Sequence, residues 1–166
     1  MRVMDKGNDK KVYMEPASEL VVEAECDILV VGGGAAGHSA AIAAARAGAK
    51  NIILLERYGY MGGDVTGGYV IMVPNLSWYD KSFVRGLQEE WFTRLSQIPG
   101  AVCGPSLDRI GSTDPALIGA WRSHHDCVSR GGYGGCKPSC LVRSVYFEPN
   151  ELKIELDKML LEHKDA

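Results

Sequence analysis

A chain of 166 residues, 46% of them hydrophobic, is long enough for one domain with a packed core and too short for two large ones. Its formal net charge of −3 offers no basic surface for nucleic acid or an anionic membrane. No apolar run approaches the length of a membrane span, and the N-terminus lacks the basic-then-apolar order of a signal peptide, so a cytoplasmic location is expected.

Residues 1–24 are polar and mixed and read as an N-terminal arm, with 12–14 and 20–22 as candidate short extended pieces. The next stretch, 26–57, organises the rest: CDILVVGGGAAGHSAAIAAARAGAKNIILLER. Ile28-Leu29-Val30-Val31 is apolar and β-branched enough to predict a strand buried on both faces. Gly32, Gly34 and Gly37 then occupy the G-x-G-x-x-G positions. The first glycine permits a sharp turn, the second lets the backbone approach a phosphate, and the third lets helix and strand pack closely. The alanine-rich run 35–47 predicts a helix pressed on a sheet, with Gly48 as its stop. The unpaired N–H groups and partial positive charge at its start suit an anion. A second strand, 51–55, ends in Glu56, near the spacing of about 20 residues at which an acid reaches a ribose diol. The order is that of a βαβ unit holding a dinucleotide pyrophosphate. His38, beside the helix start, is expected to stay neutral and is read as structural or phosphate-proximal.

Beyond Glu56 the chain reads E-R-Y-G-Y-M-G-G-D-V-T-G-G-Y. An acid at position 56 cannot separate FAD from NAD, because both present a ribose diol, and it disfavours a 2′-phosphate and hence NADP. The glycine-rich continuation resembles the segment after the second strand in FAD-dependent oxidoreductases of the glutathione-reductase-like flavoprotein superfamily, in particular the fumarate-reductase-type branch. The resemblance spans about residues 25–74 and includes a helix near the C-terminus, E-P-N-E-L-K-I-E-L-D-K-M-L at 148–160.

The resemblance implies FAD as cofactor and a Rossmann-like α/β fold with a parallel sheet, incomplete in this chain. It also assigns parts. Gly32, Gly34, Ala35, Ala36 and Gly37 would wrap the pyrophosphate, Glu56 would take the ribose hydroxyls, and Arg57 would lie beside the adenine or ribose edge. Gly62 and Gly63 would bring backbone to the pyrophosphate or ribityl chain, Asp64 and Thr66 would face the isoalloxazine, and Gly67, Gly68 and Tyr69 would approach its ring.

Val84, Leu87, Trp91, Leu95 and Ile98 recur at helical steps and predict an amphipathic helix over 80–98, capped by Asp80 or Ser82 and ended by Pro99-Gly100. Residues 99–149 are rich in Gly, Pro, Ser and Cys and read as an irregular insertion carrying specificity or a partner surface. Its substrate-reaching candidates are Trp121, Arg122, His124, His125, Asp126 and Tyr133, with no catalytic residue singled out. Of the five cysteines, Cys26 is read as a buried hydrophobe. Cys103, Cys127, Cys136 and Cys140 fit neither a redox C-x2-C pair nor a clean zinc spacing, so free thiols are expected over a metal or iron–sulfur site. A last helix over 150–163 takes Asn150 as its cap.

Residues 25–166 thus read as the N-terminal part of an FAD-binding domain. The chain ends before the further parallel strands and substrate domain that such a fold needs, which points to a natural or proteolytic piece completed by a second polypeptide or, alternatively, to a truncated chain. Two functions follow: the FAD-binding portion or subunit of an oxidoreductase acting on a small organic substrate by hydride transfer, or a non-catalytic electron-transfer or regulatory subunit of a larger complex.

Overall fold

The computed structural model describes residues 3–5, 11–13, 15–121 and 140–166. A short antiparallel hairpin, β1 (Val3–Asp5) with β2 (Lys11–Tyr13), opens the chain. Residues 20–22 form no strand and lie exposed.

The predicted βαβ unit is present. β3 (Ile28–Val31) and β4 (Ile52–Leu55) pair in parallel, Ile28 opposite Ile52 and Val31 opposite Leu55, joined through helix α1 (Ala35–Arg46). After α1, Gly48 takes φ +90, the left-handed conformation that stops the helix. The small alanines let α1 lie against this pair.

One expectation is corrected. β3 alternates between half-buried and exposed positions, with Leu29 and Val31 in the open. Among the described residues, helices cover only one face of the pair, so strands rich enough in apolar residues for double burial present the other face uncovered.

The segment predicted as one helix over 80–98 divides in two. Ser77–Trp78 (β6) and Lys81–Ser82 (β7) form a tight hairpin, and helix α2 runs only over Leu87–Leu95. Ser82 donates its hydroxyl to the Val84 carbonyl instead of capping a helix. The cap position is Gly86 at φ +73, with Glu89 and Glu90 in the first turn facing the helix dipole.

The expected irregular insertion is partly ordered and partly core. Val145–Phe147 (β9) lies between Met72–Val73 (β5) and Val102–Cys103 (β8) in a three-stranded antiparallel sheet. A short helix, α3 (Pro115–Ala120), is capped by Asp114, which accepts from the Ala116 N–H at 2.8 Å. Leu141, Val142 and Val145 are fully buried.

Helix α4 (Pro149–Leu161) starts slightly earlier than predicted. Glu148, not Asn150, caps it by accepting from the Glu151 N–H at 2.7 Å, and Pro149 occupies the first turn, where its missing N–H loses nothing. The core gathers Ile42 of α1, Trp91, Phe92 and Leu95 of α2, Leu152, Leu156 and Met159 of α4, and Val145 and Phe147 of β9. That cluster fixes α1 against α4 and so sets where the glycine turn points.

Candidate functional site

The turn after β3 is built by steric exclusion. Gly32 sits at φ +97, which a side chain rarely adopts, and its N–H donates to the Leu55 carbonyl at 2.7 Å. A Cβ on Gly37 would lie 1.7 Å from the Gly32 oxygen, so only glycine lets α1 press on the turn. At Gly34 a Cβ would meet nothing within 4 Å, which leaves open space beside the backbone where the sequence expects a phosphate.

Glu56 ties the end of β4 to this turn. One carboxylate oxygen accepts from the Gly33 N–H at 2.5 Å and the other from the Tyr58 N–H at 2.9 Å. Those amides, Tyr58 first and Gly33 next, hold its carboxyl below the ordinary value. A carboxylate offers about four lone-pair sites, so the group keeps capacity for a ribose diol. Val31, Gly32, Leu55, Glu56, Arg57 and Tyr58 line a cleft of about 470 Å³ here.

The second glycine cluster docks on the first. Gly62, at φ +98, donates to the Gly33 carbonyl at 2.8 Å and bridges in parallel to Gly34, and a Cβ on Gly63 would come within 3.3 Å of Gly34 Cα. The loop then closes on itself: a short 3-10 turn over Gly63–Val65 is followed by Gly67 and Gly68, both donating to the Gly63 carbonyl. Thr66 is fully buried and donates to the Met61 carbonyl at 2.5 Å, so its hydroxyl serves the loop. Gly67 leaves room for the Tyr60 ring and Gly68 for the Asp64 backbone. Asp64 and Tyr69 stand exposed.

Sequence reasoning missed an aromatic–cation stack on the same side. Arg57 lies 6.0 Å over the Tyr58 ring, Tyr58 stacks on Tyr60 at 5.5 Å and 8°, and the Lys153 ammonium of α4 sits 4.8 Å over Tyr60. The signal was the pair of tyrosines in R-Y-G-Y beside an arginine, which a run of bends over 57–60 brings together. Only the partner from α4 required the fold.

Of the remaining candidates, Trp121 ends α3 and is half-buried. Arg122, His124, His125, Asp126, Cys127, Tyr133 and Cys136 lie outside the described residues. Cys140 is a buried free thiol whose ionisation burial pushes up, Cys103 is exposed, and Cys26 is half-buried instead of buried. Among the described residues, no three His, Cys, Asp or Glu side chains converge as a metal site, and no helix is long and apolar enough to cross a membrane.

The residues present fit an extended diphosphate cofactor. The N-terminus of the 12-residue α1 has no side-chain cap and no acid in its first turn, and Ala35 and Ala36 are exposed there. Its donors are therefore directed at an open surface flanked by the Glu56 carboxylate.

Fold and turn define a dinucleotide-binding α/β protein, and the family model for FAD dependent oxidoreductase matches residues 27–165. The chain belongs to that family, and its cofactor is FAD. A urocanate reductase of Eggerthella lenta is 42% identical over 147 residues, covering 88% of this chain and 21% of that protein. The chain thus spans about a fifth of the length of the relative it matches. No solved structure matches it.

Proposed function

We propose that this chain is the nucleotide-holding portion of a flavin-dependent oxidoreductase, a Rossmann-like half-site acting on a small organic substrate and completed by further polypeptide. The observation that carries the reading is the closed circuit of backbone: the first glycine turn bonded to Glu56 and bridged by the second glycine loop. Gly32, Gly34, Ala35, Ala36 and Gly37 surround the diphosphate, with helix α1 supplying its N-terminal donors. Glu56 accepts from the ribose hydroxyls, and Arg57 with Tyr58 flanks the adenosine end. Gly62 and Gly63 run beside the diphosphate towards the ribityl arm, Asp64 faces solvent from which the flavin enters, and Thr66 holds the loop shape.

FAD, when bound, supplies the two-electron centre that takes a hydride from the substrate or gives one to it. The residues of the two glycine turns bind and orient, and the second glycine loop braces the first through the Gly62 amide. The uncovered apolar face of the parallel pair, Leu29 56%, Val31 73% and Leu55 57% exposed, supports a further polypeptide layer, as does the much greater length of the relative. The name of that relative supports a small organic substrate.

Reconstitution with FAD tests the reading. Titration of the chain is expected to shift the flavin absorption and change its fluorescence, and the completed protein is expected to bleach anaerobically with its substrate or reoxidise with it. A chain that leaves flavin fluorescence untouched sinks the proposal, whereas a bound flavin indifferent to every small organic substrate favours an electron-transfer subunit.

A further inference from the structure

His38 stands in the first turn of α1, one residue past the third glycine, and is fully buried. Its Nε2 lies 3.0 Å from the Leu156 carbonyl of α4. A carbonyl only accepts, so Nε2 carries the proton and Nδ1 is a bare acceptor. Among the described residues Nδ1 is buried without a partner. The ring meets Trp91 edge on, at 5.6 Å between ring centroids. A second proton on the ring would therefore place a donor on Nδ1 with no acceptor beside it among the described residues.

We infer that His38 is a positioning residue for FAD: its uncharged imidazole pins the first turn of α1 to α4, and the affinity for FAD falls when that ring is protonated or loses its donor. Burial dominates and holds the ring below its ordinary value of 6.5, against the hydrogen bond to the Leu156 carbonyl and the fields of Asp157 of α4 and Glu90 of α2, all of which favour the proton. The inference rests on the FAD reading above. It differs in sign from a phosphate-contacting role, because a histidine beside the diphosphate would tighten binding on gaining a charge, whereas a charge on this buried ring, which keeps its Nε2–H bond to Leu156, disfavours the packed helix pair around it.

The test is the FAD dissociation constant of the full chain, by flavin fluorescence, from pH 8 to 5, for the unsubstituted chain, His38→Gln and His38→Phe. Unsubstituted chain should bind evenly from pH 8 to 6.5 and progressively more weakly below. His38→Gln, whose amide donates at a similar reach, should bind within about threefold at pH 8 and lose the weakening seen below pH 6.5. His38→Phe should bind about tenfold more weakly at every pH, the size of one lost buried hydrogen bond. Half-buried His163, which accepts from Arg46 at 3.3 Å, is controlled by His163→Gln, which should keep the transition. Imidazole ¹⁵N spectra of the cofactor-free chain should show the Nε2–H tautomer at pH 8. Tighter binding on acidification, a transition that survives His38→Gln, or the Nδ1–H tautomer overturns the inference. Absence of FAD binding by the unsubstituted chain at pH 8 overturns the FAD reading instead, and the spectra still decide the tether.

Discussion

Gly33 donates its amide to the carboxylate of Glu56 across 23 positions of sequence, so the residue expected to read the ribose is also the clasp that closes the glycine turn. Replacing it therefore has two effects. Glu56→Ala is expected to weaken FAD binding by about 10- to 100-fold, the range for losing a charge-assisted hydrogen bond and its preorganisation. A fluorescence titration measures it, and an unchanged dissociation constant would remove Glu56 from the site. The pH sign follows from the amides that hold the carboxyl low. The clasp's contribution is complete above the ordinary value of 4.5 and is lost as pH falls through the lower folded value, so affinity linked to Glu56 should decline only below pH 4.5.

Two glycines of one motif are expected to fail differently. A methyl on Gly37 meets the Gly32 carbonyl, which is backbone and cannot swing aside, so Gly37→Ala should cost about 2–4 kcal/mol of stability. Gly34 already has φ −64 with nothing within 4 Å of an added Cβ, so Gly34→Ala should leave the melting temperature nearly unchanged while weakening FAD binding. Thermal unfolding and FAD titration on both variants separate the roles. Equal losses of stability would show that the second glycine is there for the fold.

The βαβ unit was legible because its glycines are dictated locally by sterics: Gly37 must be glycine wherever the helix packs on that turn. The rest depended on distant partners. Ser77 accepts from the Arg143 N–H at 2.7 Å, and this bond between remote segments helps turn residues 77–82 into a hairpin, which takes in residues 80–82 where periodicity suggested helix. β9 is three residues long in a Gly- and Cys-rich region, and its place in the sheet is set by β5 and β8 on either side. That the Thr66 hydroxyl turns inward to the Met61 carbonyl is a property of loop closure that spacing does not encode.

A charge network locks the helices behind the site. Glu90 of α2 accepts from both terminal guanidinium nitrogens of Arg46, at 2.7 and 2.9 Å, and from Arg94, which in turn reaches Glu162 at 2.6 Å. Arg46 first, then Arg94, brings the Glu90 carboxyl down to about 2. Because the group is partly solvated, Glu90→Ala should cost about 1–2 kcal/mol, less than the shift alone suggests. The stabilisation is full above pH 4.5 and disappears as pH falls towards 2. Urea unfolding at pH 7 and at pH 3 checks this: the difference between the unsubstituted chain and the variant should shrink at the lower pH, and a constant difference would mean that packing, not charge, is lost.

The apolar side of the parallel pair supplies the last prediction. Leu29, Val31 and Leu55 are exposed on strands whose other side rests on α1, so a methylene-rich surface faces water in this chain. Burying such side chains stabilises by about 1.5–3 kcal/mol each, a strong drive towards self-association when no proper cover is present. Among the described residues no third strand joins the pair, which adds templating to stickiness. Leu29→Thr with Val31→Thr keeps β-branched strand formers while removing apolar area, so the chain should stay folded and become more nearly monomeric. Sedimentation velocity on the cofactor-loaded chain measures the change. If the unsubstituted chain is already monomeric at high concentration, the exposed face does not drive association and the argument for a covering layer loses its physical basis.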